Sequence, residues 1–119
     1  MDFSLATHRQ PGSVVVSATG EVDATNAPRL AAALNAVLDD PGDCLGIIVD
    51  LAEVTFCDSR CIGVLVAAYR RARERRISLV AAAPQRPVYR LLVIAGIDQV
   101  LSIYDDVDSA VAALVPADT

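Results

Sequence analysis

The sequence contains no lysine and no tryptophan, and its single histidine is His8. All ten basic residues are therefore arginine, and 15 acidic residues against them leave a net charge of −5. Binding to the phosphates of a nucleic acid requires a surplus of basic groups, so this charge argues against nucleic acid as the main ligand. The missing lysine excludes any mechanism that needs a lysine ammonium group.

Long apolar runs are also missing. No run approaches the roughly 18 residues that a membrane span needs. Residues 1–10 have neither the basic start nor the apolar stretch that is typical of a signal peptide. We therefore expect no direct membrane insertion and a cytoplasmic location.

Cysteine is scarce, with Cys44, Cys57 and Cys61 as its only instances. An odd number of cysteines in a chain without a leader indicates reduced thiols and not a disulfide framework. Cys57 and Cys61 lie four residues apart, but a zinc ion needs further ligands, and His8 is far away in the sequence. The sequence therefore predicts no metal site and no cofactor.

The hydrophobic content of 54% is enough for a real core, and a length of 119 residues fits one domain, 1–119. Apolar periodicity predicts strands over 2–8, 13–19, 45–51 and 77–82, with at most a short strand over 101–104. Helices are expected to begin near residues 25–28, 59, 84–87 and 105–106, and Gly96 should end the third one. The fold class is α/β: a mixed, mostly parallel sheet of four to five strands, an N-terminal antiparallel hairpin and about four packed helices.

The segment from Val49 to Gly63 is the most informative part of the sequence. It is expected to be a buried strand, a polar loop and the start of the second helix. Ser59 should lie at or next to the N-cap of that helix, exposed, with free backbone N–H groups around it. A phosphate on Ser59 would be held by those groups and by the helix dipole. Considered alone, however, Ser59 is also an ordinary helix cap, because serine is among the commonest capping residues.

This segment resembles the signature of the STAS family, and especially of its anti-sigma-factor antagonists. The usual form of the signature is Val-x-Phe-x-Asp-Ser-Ser-Gly-Leu-Gly after an Asp-Leu strand end. A second motif, Gly-Glu-Val-Asp at 20–23 followed by Ala-Pro-Arg-Leu at 27–30, is similar to the Gly-Glu-Leu-Asp loop of the family and the helix after it. The resemblance covers nearly the whole chain and implies a STAS-like fold.

The resemblance also implies a function. In the family, the first Ser after the Asp is phosphorylated by a partner that is both an anti-sigma factor and a serine-protein kinase, and a phosphatase reverses the modification. Carried over by position, the phosphorylated residue is Ser59. The partner-binding residues are then Asp23, Asp58, Ser59, Arg60 and Cys61. The unphosphorylated protein is expected to bind the anti-sigma factor and so to free a sigma factor.

Two residues depart from the family pattern. Arg60 stands where a second serine is usual, and its guanidinium is suited to a phosphate or to an acidic partner. Cys61 stands where a glycine is usual and is expected to add a side chain to a surface that the family keeps clear. Its position in the first helical turn beside Arg60 is compatible with a lowered thiol pKa and a redox role, or with a spectator thiol.

Three alternatives remain open. Catalysis by Ser59 would require a base, and no motif supplies one, so we expect no enzyme activity. A phospho-aspartate receiver would use Asp50, but such receivers keep a lysine near the last strand. A STAS module could instead serve a stress-sensing assembly or a lipid or anion transport system. The arginines from Arg70 to Arg76 are expected to complement the negative end of the helix dipole, and this interpretation is sufficient for the cluster at the level of the sequence.

Overall fold

The computed structural model describes residues 3–114, which fold into a five-stranded sheet with four α-helices. The strands are β1 (Ser4–Gln10), β2 (Ser13–Val22), β3 (Gly46–Cys57), β4 (Ser78–Ala82) and β5 (Ile103–Tyr104). The helices are α1 (Ala27–Asp39), α2 (Ser59–Glu74), α3 (Arg86–Ile94) and α4 (Val107–Leu114), with a short 3-10 turn at Ile97–Gln99.

The strands lie in the order β1-β2-β3-β4-β5. The β1–β2 hairpin is antiparallel and turns at Pro11-Gly12, while the other neighbours pair in parallel. The predicted hairpin and mostly parallel sheet are thus confirmed. Because residues along a strand alternate between faces, Ile47 and Val49 join the larger core under α1, α2 and α3. Ile48 joins the smaller core under α4.

The strands β2 and β3 are longer than the sequence pattern predicted. Residues 20–24 were expected to form a loop, yet β2 continues to Val22, and β3 runs on to Cys57 instead of stopping near Leu51. The added residues pair with one another, from Gly20 with Val54 to Val22 with Cys57, and the register shifts between Gly20 and Glu21. Polar residues alternate with buried ones here, because β4 pairs only with residues 46–50 of β3 and leaves this ribbon partly open to solvent.

Other boundaries differ by a few residues. Leu45 was predicted inside the third strand, but it precedes β3 and is 49% exposed. In α2, apolar spacing predicts a buried stripe of Ile62, Leu65, Val66 and Tyr69, but only Leu65 is fully buried and the other three are partly buried. Cys61, Ala68 and Ala72 complete the buried side instead. The predicted helix stop is confirmed at Gly96, which follows α3 with φ of +78°. Asp2, predicted in the first strand, lies outside the described residues.

Candidate functional site

The start of α2 is organised by Asp58. This residue is the N-cap, and its Oδ1 accepts hydrogen bonds from the backbone N–H groups of Arg60 at 2.9 Å and Cys61 at 3.4 Å. The carboxylate also places negative charge at the positive end of the helix dipole, which stabilises the helix. Asp58 is half-buried and therefore already used within the fold.

Ser59 is the first residue of α2 and is exposed. The prediction that it lies next to the N-cap is confirmed, whereas the alternative that it is itself the cap is wrong. The predicted cradle of free N–H groups is also wrong in part, because those of Arg60 and Cys61 donate to Asp58. A phosphate on Ser59 would instead stand beside an existing carboxylate.

A second carboxylate comes to the same edge of the sheet. Asp23 directly follows Val22, which pairs in parallel register with Cys57, so Asp23 and Asp58 leave neighbouring strand ends. The Oδ1 atom of Asp23 accepts hydrogen bonds at 3.0 Å from the N–H groups of Thr25 and Asn26. This Asx turn fixes the loop before α1, so Asp23 holds the shape of the surface and contributes charge to it.

Arg60 is exposed on the first turn of α2. Its backbone N–H is tied to Asp58, but its side chain forms no ion pair within the described residues. The guanidinium therefore presents positive charge beside Ser59, as the sequence predicted.

Cys61 does not lie on the surface. Its side chain is 0% exposed and belongs to the main core, so the expectation that it projects toward a partner is wrong. The hydrogen bond with the neighbouring Cys57 thiol raises the pKa of Cys61, and burial raises it further. Of the two possibilities that the sequence left open, the raised pKa favours a spectator thiol over a reactive one, because the Cys61 side chain turns inward, away from solvent.

A groove between α1 and α2 begins at Ser59. It has a volume of about 420 Å³ and is mostly apolar. We call it the Ser59 groove, and its lining residues are Ala31, Asn35, Ser59, Arg60, Gly63, Val64, Ala67, Ala68 and Arg71. The small residues among them keep the two helices from filling the space, and a Cβ added at Gly63 would meet no atom within 4 Å.

Phe56 is a surface feature whose role was not predicted. It sits one residue before the end of β3, and 45% of it is exposed although it is a large aromatic residue. Exposed aromatic side chains are common anchors in protein interfaces. The sequence contained a hint of a role, since Phe56 belongs to the signature that contains Ser59. The signature alone, however, does not indicate whether Phe56 is buried or exposed.

Other chemistry finds little support in the described residues. Residues 3–114 contain no group of three or more His, Cys, Asp or Glu side chains arranged to hold a metal ion. In the same part of the chain, no helix combines the length and apolar character needed to cross a membrane. Asp50 accepts hydrogen bonds from the Ser17 hydroxyl and the Ala52 N–H, both at 3.0 Å, so its two carboxylate oxygens are engaged inside the sheet.

Comparison with known proteins places these features in a family. A family model described as "Mlab, STAS domain" matches residues 5–115. The anti-sigma-B factor antagonist of Listeria monocytogenes is 33% identical over 95 residues, which cover 80% of this chain and 82% of that protein. The chain belongs to the STAS-domain family.

Solved structures agree with this assignment. A crystal structure of an anti-sigma factor antagonist from Mycobacterium paratuberculosis superposes with a TM-score of 0.82 at 29% identity, covering 95% of this chain and 94% of that one. The anti-sigma factor antagonist SpoIIAA in its unphosphorylated form has a TM-score of 0.81 at 15% identity, covering 98% and 100% of the two chains. The second likeness shows the shared fold, and the predicted STAS-like architecture is confirmed.

Proposed function

We propose that this protein is an anti-sigma-factor antagonist that is switched by phosphorylation of Ser59. In its unphosphorylated form it binds an anti-sigma factor and thereby frees a sigma factor. The anti-sigma factor is also a serine kinase, and it supplies its own ATP and Mg²⁺. The protein itself acts by binding and not by catalysis.

The position of Ser59 carries this proposal. Its hydroxyl is exposed on the first turn of α2 and is not needed to cap that helix, because Asp58 performs the capping. The side chain is therefore free for modification without loss of the helix start. Relatives named as anti-sigma factor antagonists, at 33% and 29% identity, support the same interpretation.

The surface around Ser59 is suited to a protein partner. The Ser59 groove offers an apolar depression between two helices, and Phe56, three residues before Ser59, is exposed. Arg60 lines the groove, and Asp23 and Asp58 add negative charge at the edge of the sheet where α2 begins. An apolar centre with a charged rim is the usual composition of a specific interface.

Phosphorylation would act on this interface through charge. A phosphoserine carries about −1.5 to −2 charges at neutral pH. On Ser59 that charge would adjoin the carboxylate of Asp58 and would have to lose its water in the complex. A penalty of about 3–4 kcal/mol would weaken binding a few hundredfold. A phosphatase that removes the phosphate would restore binding.

The test is a reconstitution with the anti-sigma factor kinases of the source organism. Each purified kinase is held with its sigma factor, and the unphosphorylated protein is titrated in while free sigma factor is measured. We expect displacement by the unmodified protein and none by the protein phosphorylated on Ser59. Displacement that is equal for both forms would contradict the switch.

A second outcome would point to another partner. If no anti-sigma factor of the organism binds the unmodified protein, the chain is not an antagonist of this kind. It would then be a STAS module of a different assembly, such as a stress-sensing complex or a lipid or anion transport system.

A further inference from the structure

The opposite end of α2 carries a concentration of positive charge that the proposed function does not use. Arg70, Arg71, Arg73, Arg75 and Arg76 are half of all the arginines in the chain. Within the described residues, only Arg71 of this group forms an ion pair, with Asp39. The remaining guanidinium groups stand on an exposed part of an otherwise acidic protein.

Two of these arginines line a groove of about 520 Å³. We call it the arginine groove, and its lining includes Tyr69, Arg73, Arg76, Ser78, Val100 and Ser102. They come from the end of α2, the start of β4 and the segment before β5. The groove thus combines two guanidinium groups, two serine hydroxyls and an apolar part formed by Tyr69 and Val100.

The backbone of Arg76 is strained. Its φ is +59°, in the left-handed region that glycine adopts readily and arginine does not. The surrounding bonds are those of a Schellman motif: the Ile77 N–H donates to the Ala72 carbonyl at 2.9 Å, and the Arg76 N–H donates to the Arg73 carbonyl at 3.1 Å. Glycine is the usual residue at this position, so an arginine here lowers stability.

The helix dipole does not account for Arg76. Basic residues in the last turn of a helix interact favourably with its negative end, and Arg71 and Arg73 occupy that turn. Arg76 lies beyond the last helical residue, Glu74, and its left-handed backbone conformation is unfavourable for any residue that carries a Cβ atom. A strained backbone at a position where glycine would be more stable often marks a functional site, so the Arg76 side chain is a candidate for binding a ligand.

We propose that the arginine groove binds a small phosphorylated compound, with its phosphate between Arg73 and Arg76 and its organic part against Tyr69 and Val100. Guanidinium groups match the oxygen geometry of a phosphate with paired N–H donors. The volume lies in the range of small-molecule sites. An adjoining groove shares Tyr69, Arg73 and Val100 with this one and adds Arg70 and Glu74. The Glu74 carboxylate therefore lies next to the site but does not line it, and Arg70 adds a positive charge on the same side.

This site is separate from the Ser59 surface. Ser59 and Arg73 stand at opposite ends of α2, and 14 helical steps of 1.5 Å place them about 20 Å apart. The ligand and a protein partner therefore bind at different places, and the test requires no partner.

The experiment is a calorimetric titration at low ionic strength with inorganic phosphate, phenyl phosphate and AMP. We expect saturable binding of phenyl phosphate or AMP, tighter than inorganic phosphate. Arg73→Gln should weaken that binding at least tenfold. AMP tighter than phenyl phosphate would identify a nucleotide as the source of the phosphate, and the reverse would indicate another phosphate ester.

Arg76→Gly makes the test sharper, because it should weaken binding at least tenfold while raising the Tm by a few degrees. The control for strain is Ala83→Gly, at the other non-glycine residue with positive φ in the described chain, +61°. It should leave the affinity unchanged. The control for charge is Arg90→Gln, on the exposed side of α3 and outside both grooves, which should also leave the affinity unchanged.

Three results would overturn the proposal. The first is the absence of saturable binding of all three probes. The second is an Arg76→Gly variant that binds as tightly as the wild type. The third is inorganic phosphate binding as tightly as the esters, which would remove the assigned contact with Tyr69 and Val100.

Discussion

The two ends of α2 differ in almost every property that matters for recognition. At the first end, Ser59 is exposed beside the Asp58 cap, and the adjoining groove is apolar and lined by small residues. At the other end, guanidinium groups crowd the last turn, and the backbone of Arg76 is strained. One helix therefore presents a surface suited to a protein partner and, about 20 Å away, a surface suited to a small anion.

At the first end of α2, one residue stabilises the helix terminus and a different residue presents the functional group. At the second end, a single residue does both. Asp58 caps the helix, so Ser59 can change without loss of structure. Arg76 instead carries both the helix stop and a guanidinium group, and there the two demands conflict. Variants at each end should therefore respond differently.

The largest effect is expected from a fixed charge at Ser59. Ser59→Asp should weaken binding to the anti-sigma factor by about a hundredfold, or about 2.7 kcal/mol, because it places one negative charge beside Asp58 where a phosphate places up to two. The neutral control Ser59→Asn has nearly the same size and should bind far better than Ser59→Asp. Equal binding by the two variants in a titration would show that charge is not what switches the interface.

Arg60 should have the next largest effect. Arg60→Ser restores the residue type usual in the family and should change the affinity for the cognate anti-sigma factor at least tenfold, or about 1.4 kcal/mol. The free energy of unfolding should stay within about 0.5 kcal/mol of the wild type, because the side chain is exposed. Arg90→Ser, on the exposed side of α3, is the matched control, and an equal loss in both variants would count against a specific role for Arg60.

Because Asp58 and not Ser59 caps α2, substitutions at these two residues should differ in their effect on stability, and this effect is smaller than those on binding. Asp58→Ala removes the side chain that caps α2 and should lower the free energy of unfolding by about 1 kcal/mol. Ser59→Ala should change it by less than about 0.5 kcal/mol. Urea unfolding of both variants measures this, and a greater loss in Ser59→Ala would mean that the serine is the cap after all.

The smallest effect concerns the one arginine of the basic end that is already paired. The hydrogen bond from Arg71 holds the pKa of Asp39 below its ordinary 3.8. Since the folded-state pKa is lowered, the stabilisation from this pair is present above the ordinary pKa and is lost as the pH falls through the lowered one. An NMR titration should find the Asp39 midpoint below 3.8 and closer to it in Arg71→Gln; unchanged midpoints would contradict the pairing.

Much of the fold was predictable because apolar periodicity reports directly on burial. The run at Ile47–Val49 and the turn at Pro11-Gly12 determine a strand and a hairpin on their own. The second halves of β2 and β3 were not predicted, because each pairs mainly with the other. Val22 and Val54 alternate with polar neighbours, which is the pattern of a half-buried strand. The many polar residues in these segments nevertheless favoured a loop.

The candidate site was predictable in position but not in orientation. The signature located Ser59 at the start of a helix, and the order of strands brought Asp23 to the same edge. Which side chain turns inward depends on the helix phase and on the contacts of α2, so Cys61 was expected outside and is buried. The Ser59 groove joins residues of two helices distant in sequence, and no local pattern reveals it.

The most direct test of the central claim is to locate the phosphate. The protein is incubated with its cognate anti-sigma factor kinase and ATP, and the modified residue is identified by mass spectrometry of the wild type and of Ser59→Ala. The account predicts one phosphate on Ser59 in the wild type and none in the variant, which should still bind the kinase. Phosphate on another residue, or a variant that is phosphorylated as fully as the wild type, would contradict it.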